Sequence, residues 1–258
     1  MQQIIVYVDQ GVDGLALKHT VKSLQQEVDP SKHTIRRMDS KTLKAGHWEE
    51  KSALLVIPGG RDIYYHQSLD GQGTSKIRRF VENGGSYLGI CAGAYFGSGS
   101  IEFEKGGSYE VCAQRSLAFF PGLAEGPAYG KEKYRVDGLQ GIEAARVSWN
   151  DDSFHVYYNG GCQFIGAHQF PDVAVLSSYL ELENDPAAII SCKIGQGKAV
   201  LSGIHLEYSV PALPRNNPYI ERIYNLLEKG EMQRRHVFRD TLSHLNISLR
   251  EIDISKNS

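Results

Sequence analysis

The sequence predicts an α/β fold with a mostly parallel central sheet, helices on both of its faces and an antiparallel β elaboration. Short apolar runs alternate with segments of helical period through roughly the first hundred residues, which is typical of buried parallel strands joined by crossover helices. The stretch from about 101 to 180 is instead rich in Gly, Tyr and Phe, which favours short antiparallel strands and long loops. No repeat, linker or low-complexity tract interrupts the 258 residues, so we expect a single domain over residues 1–258.

The first part of the chain is predicted to alternate strands with helices. Between Leu17 and Val28, apolar residues recur at steps of four, three and four, which marks the buried face of a helix. A second helix is predicted around residues 77–81, and Asn83-Gly84-Gly85 ends it because these residues tolerate positive φ. The predicted strands are Ile4–Val8, His33–Met38, Ala53–Ile57 and Ser86–Ile90.

The second part of the chain is predicted to contain short strands followed by helical segments. Gly195-Gln196-Gly197 lies between two strand runs and indicates a hairpin. The predicted strands are Tyr109–Val111, Ser116–Phe120, Ala145–Trp149, Phe154–Tyr158, Ala187–Lys193 and Lys198–Ile204. Helical spacing covers Tyr219–Leu227 and, as a separate segment, Met232–Leu245.

Charge and hydropathy exclude several classes of partner. The 28 Lys and Arg residues nearly balance the 30 Asp and Glu residues, which leaves no net field to attract nucleic acid or anionic lipid. No apolar run approaches the ~20 residues that span a bilayer, and the N-terminus has no signal-peptide pattern. We therefore expect a cytoplasmic protein without nucleic-acid or membrane partners. The basic residues Arg234, Arg235 and Arg239 are predicted to lie on a solvated helix face.

The cysteines and histidines do not follow metal-binding patterns. Cys91, Cys112, Cys162 and Cys192 are widely spaced and form no CxxC pair, so neither a zinc site nor a disulfide framework is indicated. The histidines show no HExxH spacing. We expect no metal site and no cofactor, and each cysteine has to be interpreted alone.

Cys91 stands in the most informative motif. A predicted buried strand runs into Gly89-Ile90-Cys91-Ala92-Gly93, the thiol version of a nucleophile elbow, in which a sharp strand-to-helix turn requires small neighbours. A thiol there faces the positive end of a helix, which stabilises a thiolate. The motif therefore predicts a reactive nucleophile. The alternative is a buried cysteine whose flanking glycines serve only close packing.

A second motif, His205-Leu206-Glu207, follows a predicted strand. Along a strand, residues two apart share a face, so Glu207 is expected to orient the His205 ring. His205 then becomes a candidate general base for Cys91, in the nucleophile–base–orienter arrangement that recurs on unrelated folds. The alternative is an exposed strand end where both side chains meet water.

The third motif, Pro58-Gly59-Gly60, also follows a predicted strand. The carboxyl ends of parallel strands are where open α/β sheets collect their sites, and a glycine pair leaves backbone N–H groups unobstructed. The N–H groups of Gly60 and Ala92 are therefore candidates for an oxyanion hole. The alternative is a turn that simply ends the strand.

In this order, the three motifs resemble the class I glutamine amidotransferase-like superfamily, and the resemblance implies a flavodoxin-like sheet and a Cys–His–Glu triad. The chain is most similar to the N-terminal amidotransferase-like domain of eukaryotic-type biotin–protein ligases. The matching segments are Pro58-Gly59-Gly60-Arg61-Asp62, Gly89 to Phe96, Phe154 to Gly161 and Ser202 to His205.

The same motifs contain the candidate substrate-binding residues. Arg61 is expected to bind a substrate carboxylate, unless it pairs with a neighbouring acid. Tyr64, Tyr65 and Tyr95 are expected to wall a small-molecule site, the alternative being packing at the core edge. By the resemblance, the Tyr158-Asn159-Gly160 turn lines the same pocket. The full candidate set is Gly59, Arg61, Asp62, Tyr95, Tyr158, Asn159 and Gly160.

These residues favour a thiol-dependent amidase, hydrolase or acyl-transfer enzyme acting on a small amide-like substrate. Glutamine itself is not the expected substrate, because Ala94 and Tyr95 stand where classical glutaminases carry Gln, and Leu206 stands in place of the usual Pro. The alternative is a non-catalytic binding or regulatory module that partners a biotin–protein ligase or a protein of a biotin-related pathway. Biotin ligation by this chain is not expected, because the Gly-Arg-Gly-Arg-type loop of the ligase module is absent from the sequence.

Overall fold

The computed structural model describes residues 1–130 and 138–251, so the predicted domain of residues 1–258 includes two segments that lie outside the described residues. Thirteen strands occur in the described part of the chain. In chain order, β1 to β13 are Gln2–Tyr7, His33–Met38, Ser52–Ile57, Ser86–Ile90, Ser98–Phe103, Val111–Gln114, Phe120–Gly126, Ile142–Trp149, Asp152–Asn159, Gln163–Ile165, Val173–Ser178, Ala187–Ile194 and Gly197–Ser202.

Six α-helices accompany these strands within the described ranges. In chain order, α1 to α6 are Gly14–Glu27, Ser40–Ala45, Asp62–Leu69, Gln72–Glu82, Ala92–Gly97 and Pro218–His244. None of the described helices combines the length and the apolar character needed to cross a membrane.

The main sheet joins a parallel half to a mostly antiparallel half. Its strand order is β2-β1-β3-β4-β13-β12-β10-β7-β5-β6, and β11 pairs with β12 beside this path. The neighbouring strands β2, β1, β3, β4 and β13 are all parallel to one another, and the β12–β13 hairpin begins the antiparallel part. The strands β8 and β9 form a separate antiparallel sheet. The predicted fold class, with its antiparallel elaboration, is confirmed.

Helices cover both faces of the parallel half, as predicted. Along β1, Ile5 and Tyr7 belong to one buried cluster and Ile4 and Val6 to another, because successive side chains of a strand point to opposite faces. The first cluster contains apolar residues of α2, α3, α4 and α5, and the second contains those of α1 and α6. A strand buried on both faces has to be apolar throughout, which is why these strands were identifiable as apolar runs.

The predicted strand boundaries between residues 101 and 126 are wrong. Strands β6 and β7 begin where Tyr109–Val111 and Ser116–Phe120 were predicted to end, and β5 pairs with β7 in parallel rather than antiparallel. Leu117 and Phe119 are buried although they lie in the connection between β6 and β7. Their apolar side chains fill the core from a connecting segment. The apolar pattern therefore predicted a strand here, ahead of the actual start of β7.

The two predicted C-terminal helical segments are one continuous helix, α6. Asn217 caps its start by accepting hydrogen bonds from Tyr219 and Ile220, and Pro218 occupies the first helical position, where no N–H is needed. Gly230 lies between the predicted segments. A Cβ there would stand 2.3 Å from the carbonyl oxygen of His155 on β9, so this glycine allows close packing of the helix rather than ending it.

Neighbouring strands bring distant loops to one edge of the sheet. Because β1, β3, β4 and β13 are parallel neighbours, their carboxyl ends lie side by side. The loops that follow them carry Gly11 to Asp13, Gly59 and Gly60, Cys91, and His205. This edge is where an open parallel sheet is expected to form its site.

Candidate active site

A cavity of about 480 Å³ lies over this edge of the sheet, a size typical of small-molecule sites. Glu207 and Tyr158, both predicted for the site, do not line it. The predicted residues that do line it are Gly59, Gly60, Arg61, Asp62, Cys91, Ala92, Tyr95, Asn159, Gly160 and His205.

Cys91 occupies a strained turn between β4 and α5. Its φ of 51° and ψ of −106° are unusual for a residue with a side chain, and strain of this kind is concentrated at functional sites. A Cβ on Gly89 would stand 2.3 Å from the Gly93 carbonyl oxygen, and one on Gly93 would stand 2.0 Å from the Ile57 carbonyl oxygen. Both glycines are therefore sterically required. The Cys91 Sγ lies 3.5 Å from the carbonyl oxygen of Asn159, at the floor of the cavity.

His205 and Glu207 form a buried pair. The His205 Nδ1 lies 2.8 Å from Glu207 Oε1, and Glu207 is completely buried. The prediction that a strand brings the two side chains together is wrong, because β13 ends at Ser202 and the pair stands in the following loop. The loop turns back at this point, with the Tyr208 N–H donating to the His205 carbonyl at 3.3 Å.

The surroundings of His205 favour its protonated form. Burial would lower the pKa of the imidazole, but the negative charge of Glu207, together with hydrogen bonding to Cys91 and Glu207, outweighs burial and raises the pKa to about 10. The side chains of Cys91 and His205 flank the same small space. The point where a Gly59 Cβ would stand is 3.0 Å from His205 Cε1 and 3.6 Å from Cys91 Cβ.

An aromatic stack that was not predicted fixes the His205 ring. Tyr157 and Tyr208 stack at 4.4 Å between centroids, and His19 of α1 stacks on the other face of Tyr208 at 4.2 Å. The His205 ring meets both tyrosines edge-on. Burial lowers the pKa of His19 to about 4, so this ring packs as a neutral aromatic group at pH 7.

The loop that carries His205 and Glu207 is held from two helices. The Ser23 hydroxyl of α1 donates to the Glu207 carbonyl at 2.7 Å. Arg234 of α6 donates to the Leu206 carbonyl, and its Nε lies 2.7 Å from a carboxylate oxygen of Glu231. The prediction that Arg234 is solvated is wrong, since the residue is buried. Its position was the available signal, because it falls on the same helical stripe as the apolar residues at 227, 230 and 237.

The glycine loop after β3 is paired with the loop after β1. The Asp13 N–H donates to the Gly59 carbonyl at 3.1 Å, and the Arg61 N–H donates to the Gly11 carbonyl at 2.8 Å. Among the described residues, the N–H group of Gly60 has no acceptor, and neither has that of Ala92 at the start of α5. Both residues line the cavity, as the oxyanion-hole prediction requires, and their catalytic role stays a prediction.

The remaining predicted residues divide between the cavity surface and its support. Asp62 forms a buried ion pair with Arg115 at 2.8 Å, and burial, only partly offset by Arg115, raises the pKa of its carboxyl group. Arg61 is exposed, and its guanidinium lies 5.1 Å from the ring centre of Tyr64. Tyr158 lies behind the cavity wall, where its hydroxyl donates to the Gly161 carbonyl at 2.9 Å. Asp62 and Tyr158 therefore have established partners within the protein.

A Gly59→Ala variant is expected to lower the rate of Cys91 alkylation by iodoacetamide at pH 7 about tenfold, with little change in the urea midpoint of unfolding. The added Cβ forces the His205 ring, 3.0 Å away, to move relative to the thiol, and a small misplacement of a catalytic group is costly. The matched control is Gly14→Ala, because a Cβ there meets no atom within 4 Å. Equal alkylation rates in both variants would contradict this geometry.

Comparison with known proteins gives a family and a fold. A family model described as "Biotin-protein ligase, N terminal" matches residues 2–258. A protein of Chlamydia muridarum, described as uncharacterized, is 44% identical over 212 residues, which cover 81% of this chain and 81% of that protein. The biotin–protein ligase of Schizosaccharomyces pombe is 37% identical over 221 residues, which cover 82% of this chain and 34% of that protein.

Solved structures share the architecture at low sequence identity. A crystal structure of a glutamine amidotransferase is similar with a TM-score of 0.56 and 18% identity, covering 88% of this chain and 99% of that one. A glutamine amidotransferase from Thermotoga maritima is similar with a TM-score of 0.54 and 14% identity, covering 95% of this chain and 97% of that one. At these identities, the likeness establishes the fold alone.

Proposed function

Because the chain belongs to the biotin–protein ligase N-terminal family and has a glutamine amidotransferase-like fold, we propose that it is a cysteine-dependent hydrolase or acyl-transfer enzyme acting on a small amide-like substrate. The observation that carries the proposal is the buried His205–Glu207 pair, whose ring shares a small space with a thiol on a strained turn. A cysteine that served only packing would need no buried, carboxylate-oriented imidazole beside it.

The proposed reaction has two steps. His205 holds the proton of the Cys91 thiol as an imidazolium before the attack, the sulfur attacks the substrate carbonyl carbon, and the N–H groups of Gly60 and Ala92 stabilise the oxyanion. The C–N bond then breaks, and His205 returns the proton to the leaving amine, which leaves a thioester on Cys91. Water, or another acceptor in acyl transfer, attacks the thioester with His205 as base, releasing the acyl group and restoring the thiol. Glu207 orients the imidazole throughout.

The cavity favours a small substrate with an acidic group near its mouth. Arg61 is exposed there and takes part in no ion pair within the described residues, so its guanidinium is available for a substrate carboxylate. Asp62 is occupied by Arg115, so its proposed contribution is to hold the wall of the cavity. We assign direct substrate contacts to Gly59, Arg61, Tyr95, Asn159 and Gly160.

The proposed setting is the cytoplasm, in association with a biotin–protein ligase or a protein of a biotin-related pathway. The chain spans 34% of the length of the S. pombe biotin–protein ligase that it resembles. That ligase therefore contains a region like this one together with a larger remainder. We propose that the present chain performs thiol chemistry and leaves biotin ligation to the partner.

Alkylation tests the proposal directly. In a Cys112→Ser background, which removes the exposed thiol, Cys91 is expected to react with iodoacetamide at pH 6.5 at least about tenfold faster than an ordinary thiol of pKa ~8.5. A His205→Ala substitution should abolish this advantage, because no imidazole then accepts the proton. Ordinary reactivity that is insensitive to His205 would refute the proposal in favour of a non-catalytic binding module.

A further inference from the structure

We propose that Tyr65, which lies behind the cavity wall, is a positioning residue that orients the Gly59–Gly60 peptide so that its N–H faces the reacting carbonyl. This inference rests on the proposed function and identifies what holds the oxyanion-binding group in place. Tyr65 stands on α3 and is completely buried, and it does not line the cavity.

The Tyr65 hydroxyl is surrounded by carbonyl oxygens of two site loops. It lies 3.1 Å from the oxygen of Gly59, 3.3 Å from that of Pro58 and 3.4 Å from that of Gly11. A hydroxyl has one proton to donate, and Gly59 is the nearest acceptor. The Gly59 carbonyl also accepts from the Asp13 N–H at 3.1 Å. Two donors from different elements thus hold this one carbonyl.

Holding the Gly59 carbonyl also fixes the direction of the Gly60 N–H, which belongs to the same peptide group. A peptide group is planar and trans, so its C=O and N–H point in opposite directions. With the Gly59 oxygen directed toward Tyr65 and Asp13, the N–H of Gly60 has to point the other way. Gly60 lines the cavity and Tyr65 does not, and no described acceptor binds that N–H. The hydroxyl therefore acts on the proposed chemistry through the peptide plane, without touching substrate.

The position of the Tyr65 hydroxyl requires a glycine at position 60. Its φ of +151° lies in a region that side chains rarely adopt. A Cβ at this position would stand 2.1 Å from the Gly11 carbonyl oxygen and 2.5 Å from the Tyr65 hydroxyl oxygen. The hydroxyl thus occupies the space that any larger residue would need.

The Tyr65 ring has little freedom to move. It packs edge-on against Tyr7 at 5.4 Å between centroids and against Phe96 at 6.1 Å, both within the main core. Burial raises the pKa of Tyr65 well above its ordinary value, so the phenol keeps its proton and stays a donor across the physiological range.

A Tyr65→Phe variant separates this role from simple packing. Acylation of Cys91 by p-nitrophenyl acetate passes through an oxyanion, whereas alkylation by iodoacetamide displaces iodide at a saturated carbon and forms none. Both rates are measured in the Cys112→Ser background. We expect acylation to fall about tenfold and alkylation to change less than about twofold, because loss of one oxyanion donor costs about a hundredfold or more and Asp13 still holds the carbonyl.

Two controls make the result decisive. Tyr7→Phe removes a buried hydroxyl from the same core and is expected to leave both rates unchanged. Placing 4-aminophenylalanine at position 65 restores a donor at the ring tip and is expected to recover most of the acylation rate. Unchanged acylation in Tyr65→Phe, or an equal fall in both rates, would overturn the assignment. Wild-type acylation no faster than that of Cys91→Ser would instead refute the proposed function, and this inference with it.

Discussion

A Cys91→Ser variant is expected to lose about a thousandfold or more of its acylation rate with p-nitrophenyl acetate while unfolding at the wild-type urea concentration. The hydroxyl is nearly isosteric with the thiol, so the strained turn and its flanking glycines are undisturbed. A serine hydroxyl is a much weaker nucleophile than a thiolate at neutral pH, and a site arranged for sulfur does not compensate for the difference. Stopped-flow release of p-nitrophenolate measures the rate.

Cys112→Ser is the matched control, because Cys112 is exposed on β6 and outside the cavity. It should acylate at the wild-type rate. If Cys91→Ser were to lose less than about tenfold, the thiol would not be the nucleophile, and the proposed function would fall.

The second large effect is expected from Glu207→Gln, which should slow acylation at pH 7 about a hundredfold or more. The amide keeps the shape of the carboxylate but removes the negative charge that contributes most to raising the pKa of the buried His205 ring. The pKa of His205 should then fall, because the largest influence that opposes burial is lost. The acylation rate is measured from pH 5 to 10. The pH at which the rate changes with the titration of His205 should be lower in the variant than in the wild type.

The same substitution should change how stability depends on pH. In the wild type, the raised pKa of His205 gives stabilisation that is fully present below the unfolded pKa of about 6.5 and is lost as pH rises toward about 10. In Glu207→Gln, this loss should be absent. Urea midpoints at pH 6, 8 and 10 measure it, with Glu228→Gln, an exposed carboxylate paired to Arg215, as the control. Parallel curves for wild type and Glu207→Gln would show that the pair is not charged as described.

The local parts of the site were predictable from the sequence. The elbow at Cys91 combines a buried strand with two small residues, and both signals lie within five positions. The loop at Gly59 and Gly60 was predictable in the same way, because its glycine pair follows a predicted strand within a few positions. The proximity of His205 to Glu207 was also predicted, but for a different geometry. The pair lies in a loop, so a turn brings the two side chains together rather than the alternation of side chains along a strand.

The supporting contacts were not predictable in the same way. Ser23 and His19 act on a loop that lies far from them in sequence, and nothing in their own neighbourhoods marks them. Tyr65 lies only six residues from Gly59, but nothing in the sequence shows that its hydroxyl meets that carbonyl from behind the cavity wall. The burial of Arg234 was partly predictable, because the residue falls on the buried stripe of α6, yet its contact with the site loop is to a backbone carbonyl. Hydrogen bonds to main-chain oxygens leave no residue-type signature at the accepting position.

The order of strands has a consequence for biosynthesis. Strand β4, which leads into Cys91, is paired on one side with β3 and on the other with β13, a strand that emerges from the ribosome long afterwards. Until β13 docks, the nascent chain has neither the imidazole nor the carboxylate beside its sulfur. Non-local pairing of this kind is slow, so the proposed thiol chemistry would have to wait until the sheet has been completed.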